Sequence, residues 1–63
     1  MTFNEAIEFF IHHGNVGRNG NALKRNLPND KQLDAACNHA LKKGQWMERT
    51  ESAARAIRRE RDK

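Results

Sequence analysis

Apolar side chains recur along this chain at intervals of three and four, a spacing that builds helices rather than strands. The clearest run lies in NDKQLDAACNHALKKGQWM, from Asn29 to Met47. Leu33, Ala36, Cys37, Ala40 and Leu41 fall at i, i+3, i+4, i+7 and i+8, which is one face of an α-helix. Asn29 is placed to accept from the free N–H groups of the first turn, and Gln32 to reach back as in a capping box. Lys42 and Lys43 sit where the helix dipole favours cations, and Gly44 suits the left-handed position beyond the last turn. The pattern predicts a helix over about 30–43.

The same reading gives a first helix opened by a Thr2–Glu5 capping box and closed at Gly14. Phe3, Ala6, Ile7, Phe10 and Ile11 form its stripe, while Phe9 points off it, toward the edge of the core or a partner. GNVGRNG, from Gly14 to Gly20, is dense in turn formers and reads as a loop. A short helix over about 21–27 follows, with Asn21 as cap, Leu23 and Leu27 inward, and Pro28 as its stop. Of Trp46 and Met47, after Gly44, one is expected to fold back on the first and third helices, Trp46 before Met47. Thr50 then caps a last helix over about 51–60, docked by Ile57 through a thin stripe of Ala53, Ala54 and Ala56 and frayed beyond it. Ile7, Phe10, Leu33 and Leu41 should be buried together. The fold class that results is all-α, one compact domain of three or four helices over residues 1–63.

Size and charge sharpen this picture. A chain of 63 residues buries only ~60% of its unfolded surface, and one cysteine cannot form an internal disulfide. Self-association is therefore an expected source of stability, with Phe9 as its candidate contact. The lone thiol, without a signal peptide or a long apolar run, implies a cytoplasmic protein, or one of the host cytoplasm if viral, with no membrane partner. The net charge is +4. Residues 1–34 hold four basic and four acidic side chains, so the whole excess falls in residues 35–63. Such asymmetry suits an anionic partner, nucleic acid above all, or it is a solvated basic face.

The order of elements, a three-turn helix, a turn, a short helix, a sharp turn and a longer amphipathic helix, resembles the helix-turn-helix core of DNA-binding domains. ALKKGQWMERT, residues 40–50, is similar to the end of the third helix and first wing strand of winged-helix regulators. Two features depart from that pattern: the long connection over 14–20 and the helical character beyond Thr50. A plain helix-turn-helix or an unrelated helical bundle stays open. The resemblance implies that helix 30–43 lies in a major groove and presents Lys31, Asp34, Ala35, Asn38 and Lys42, with His39 to one side. Asn38 would pair with adenine, and Ala35 would allow close approach. Phosphate contacts would come from Lys24, Arg25, Lys42, Lys43, Arg49, Arg55, Arg58 and Arg59.

Catalysis has no footing in this sequence. No nucleophile–base arrangement or carboxylate pair can be assembled. Cys37 and His39 diverge by ~200° around one helix, so they cannot share a metal. No catalytic, cofactor-binding or metal-binding residues are expected. Two readings of function remain. One is a DNA-binding, transcription-regulator-like module acting by occupancy. The other is a small helical protein that binds another protein through Phe9 and Trp46, such as a viral or mobile-element inhibitor of a cellular enzyme.

Overall fold

A computed structural model describes residues 1–17 and 19–63 as four helices: α1 (Phe3–His13), α2 (Gly20–Arg25), α3 (Asp30–Lys42) and α4 (Met47–Arg61). Arg18, within the loop predicted over 14–20, lies outside the described residues. No strand occurs among the described residues, so the fold is all-α.

The two capping boxes form as their spacing dictates. Thr2 accepts from the Glu5 N–H at 3.2 Å while Glu5 accepts from the Thr2 N–H at 3.0 Å. The Asn29–Gln32 pair closes in the same way at 2.8 and 3.0 Å. Each satisfies donors that a helix start otherwise leaves orphaned. At the other end of α3, Gly44 takes φ +90°, a conformation that favours glycine.

Helix α1 is the centre of the packing. Its partner α4 runs antiparallel to it, with Phe9 beside Arg49 near one end and Met1 beside Arg59 near the other. Helix α3 also packs on α1 and, antiparallel, on α4; an ideal Cβ on Gly14 would meet that of Ala36. The backbone of α2 approaches α1 and no other helix.

Being covered by three helices, α1 buries more than one stripe. Phe9, expected at the edge or at an interface, is buried: its ring meets Phe10 edge-on at 5.3 Å and His13 at 5.1 Å. Phe9 is therefore no free contact for a second copy. On α3 the centre of the buried stripe is Leu33, Ala36 and Ala40, whose small side chains admit α1 closely. Cys37 and Leu41 flank this line toward α4 and are only half-buried, so Leu41 is not the fully buried residue its spacing suggested.

Two helix starts differ from expectation. The cap of α2 is Asn19, whose side chain accepts from the Ala22 N–H at 2.9 Å, and Asn21 lies exposed within the helix. Both asparagines can cap, and choosing Asn19 lets Leu23 face α1 as a fully buried residue. The last helix begins at Met47, so residues 47–50 are helix instead of a wing strand. Thr50 is not its cap. It is buried one turn in, where its Oγ1 donates to the Trp46 carbonyl at 2.9 Å. Trp46 is the cap residue, and its backbone rather than its ring serves the helix. The indole does not fold back: Trp46 is 78% exposed.

The far end of α4 is held rather than frayed. Arg61 pairs with Asp30 at 2.9 Å and donates to the Pro28 carbonyl at 3.3 Å, and Arg58 reaches Asp30 at 3.7 Å and Asp34 at 3.5 Å. The hydrogen bond from Arg61, and then its charge, hold the Asp30 carboxyl below its ordinary value of 3.8. A depressed carboxyl stabilises the fold above its unfolded pKa, and the contribution is lost as pH falls through the folded one. Asp30→Asn should therefore lower the melting temperature at neutral pH. The gap between the two melting curves should close on acidification below about pH 4. A gap that persists in strong acid would refute this account of the clasp.

Candidate nucleic-acid interface

The helical period places four residues of α3 directly opposite Leu33 and Ala36: Lys31, Ala35, Asn38 and Lys42. All four are exposed. The acid expected among them, Asp34, lies off this line, on the side where Arg58 of α4 reaches it at 3.5 Å. What remains is an open stripe of two lysines, a small alanine and an amide, with no carboxylate upon it. Lys43, the cap residue at the end of α3, extends the positive charge and is exposed. His39 borders the stripe and is half-buried.

The cations of α4 are arranged differently. Arg58 is engaged by Asp30 and Asp34. Arg49 lies with its guanidinium 5.8 Å from the centre of the Phe9 ring, a cation–π position. Arg59 donates to the Met1 carbonyl at 3.4 Å. Arg55 is exposed, but Glu48 and Glu51 are exposed along the same helix and Asp62 just beyond its end. The arginine-rich tail is thus a mixed surface, and sequence counting overstates it as a cationic face. Lys24 and Arg25 are exposed on α2, a helix whose backbone pairs with α1 rather than α3. The structure therefore gathers Lys31, Asn38, Lys42 and Lys43 on one helix and leaves the other predicted contacts on separate elements.

A second feature lies at the start of α4, where the sequence leaves Trp46 either to fold back or to meet a protein partner. Trp46 and Met47 are the exposed large hydrophobics, at 78% and 63%. Met47 also lines a groove of about 380 Å³ between α3 and α4, with Cys37, Leu41 and Ala54 among its walls. The two residues are adjacent in sequence, but adjacency alone predicts opposite directions only for a strand. Burial pushes the half-buried Cys37 thiol above its ordinary value. Among the described residues, no three His, Cys, Asp or Glu side chains come together as metal ligands would. Nor is any helix there long and apolar enough to cross a membrane.

Fold and surface together define a small all-α domain with one open basic helix face. Comparison with protein-family models, curated proteins and solved structures gives no match.

Proposed function

We propose that this chain is a nucleic-acid-binding module that lays the outer stripe of α3 against a duplex and acts by occupancy. The observation that supports this reading is the stripe itself. Lys31, Ala35, Asn38 and Lys42 are exposed along one line of α3, and Asp34 is drawn aside to Arg58. In a major groove, Ala35 allows close approach, Asn38 offers the bidentate geometry that adenine accepts, and Lys31, Lys42 and Lys43 reach phosphates. Lys24 and Arg25 would add contacts from α2.

The test is binding to duplex DNA followed by anisotropy over a range of salt concentrations. Lys31→Glu with Lys42→Glu should weaken binding at all sequences alike and flatten the log–log salt slope by ~0.9 for each phosphate no longer neutralised. Asn38→Ala should relax base preference with little change in slope. Reversing Arg58 would be a poor test, since it sets a carboxylate against Asp30 and Asp34. Absence of salt-dependent binding by the wild-type chain would sink the reading. The exposure of Trp46 and Met47 favours a second reading, in which the chain docks on a protein through an apolar contact. Binding of that kind would change little with salt.

A further inference from the structure

We infer that the α3–α4 groove, with Trp46 and Met47 at its end, is a self-association surface on which a second copy of this chain docks with its α4 antiparallel. This goes beyond the nucleic-acid reading: the lysines of the outer α3 stripe lie outside the groove, and the two surfaces meet at Asn38, which lines it.

The apolar part of the case is two exposed side chains, Trp46 at 78% and Met47 at 63%, of which Met47 lines the groove with the half-buried Leu41 and Cys37. Large apolar side chains left in water are more usual at an interface than on a free surface, and the groove that Met47 lines sets Cys37, Leu41 and Ala54 beside polar and charged walls. Charge selects the occupant. Along α4 the groove wall carries the exposed Glu51 and then the exposed Arg55, followed by the half-buried Arg58 that Asp30 and Asp34 engage; Glu48 is exposed one turn earlier, outside the groove. Helical spacing puts Met47, Glu51, Ala54, Arg55 and Arg58 on one side of the helix. Two such helices placed antiparallel about a two-fold axis near residue 53 set Glu51 opposite Arg55 of the second copy. Glu48 then lies opposite the turn that carries Arg58 and Arg59. A parallel arrangement would set like against like.

An isologous dimer needs this self-complementarity, with each residue i meeting j of the other copy and the reverse. A polyanion would instead meet Glu48 and Glu51 unfavourably. A domain whose α4 core is mostly alanine gains apolar burial by pairing.

The experiment is sedimentation equilibrium combined with fluorescence of Trp46, the sole tryptophan. The wild-type chain should pass from one to two chain masses as concentration rises, and its emission should move to shorter wavelength in step. Glu51→Arg and Arg55→Glu, both at exposed sites, should each keep wild-type helicity. Each sets like charges across the axis twice over, so the dimer dissociation constant should rise roughly tenfold. An equimolar mixture of the two variants should restore association, since each then supplies the charge the other lacks. No interaction within a single helix can produce that rescue. A wild-type chain that stays monomeric at every concentration would overturn the proposal and leave this face to a different partner. Dimers that persist in both single variants, or a mixture that associates no better than its components, would overturn the antiparallel α4 arrangement.

Discussion

Phe10→Ala is expected to abolish the cooperative thermal transition. Phe10 is 1% exposed on the helix that every other helix touches, and it meets Phe9 edge-on at 5.3 Å. Truncating a buried phenylalanine costs ~3–5 kcal/mol, from forfeited transfer energy and from the cavity left behind. A chain of 63 residues has a total stability on the order of 3–9 kcal/mol, so this single change consumes much of it. Circular dichroism on heating would then show a broad, shallow decline. Leu41→Ala removes a half-buried side chain from the groove and should cost clearly less, although spacing alone ranks Leu41 beside Leu33. A sharp, unmoved transition for Phe10→Ala would mean that α1 is not the centre of this fold.

The second large effect is expected at Gly14. Its φ of −96° suits any residue, so conformation is not the constraint. Space is. A Cβ there would stand 2.9 Å from Phe10 Cδ1, 2.9 Å from the Phe10 carbonyl oxygen and 3.2 Å from the Ala36 Cβ. The carbonyl cannot yield easily, because it accepts the Gly14 N–H at 2.9 Å and closes α1. Gly14→Ala must therefore displace the Phe10 ring or the last turn of α1 and ease Ala36 of α3 back by a few tenths of an ångström, an overpacking cost of ~1–3 kcal/mol. In a domain of this size each kcal/mol moves the melting temperature by ~4–8 °C. Gly20→Ala is the control. Its Cβ would find Ile11 Cδ1 at 3.4 Å and Ile7 Cγ2 at 3.8 Å, ordinary contacts. That substitution should leave the melting temperature unchanged or raise it slightly. Equal destabilisation at the two glycines would refute the close approach of α1 and α3.

What could be read from the sequence was what is decided locally. Thr2 with Glu5 and Asn29 with Gln32 form hydrogen bonds within four residues, so their spacing carried the information. The same holds for Gly44, which serves only its own turn. What could not be read was decided between segments far apart. Phe9 looks peripheral on its own helix, and only the arrival of α4, with Arg49 above the ring, buries it. Arg58 reads as a solvated cation on α4, and only the antiparallel run of α3 brings Asp30 and Asp34 to it. For the candidate interface this cut both ways. The outer stripe of α3 was legible from one helix's period, whereas the neutralising partners of the α4 arginines were not. Trp46 failed for a related reason: a lone tryptophan is expected to seek a core, but its backbone is engaged as the cap of α4 and the turn leaves the ring outside.

The attachment of α2 to α1 alone has a consequence for how the molecule opens. Helices α1, α3 and α4 each pack on the other two, so none can leave without exposing the core of its neighbours. Helix α2 is six residues long and has one fully buried side chain, Leu23. Segments with so few buried contacts exchange their amide hydrogens through local fluctuations well below the free energy of global unfolding. Lys24 and Arg25 thus ride on the helix for which hydrogen exchange should show the earliest opening, so their charges are tied to the domain through the single anchor of Leu23.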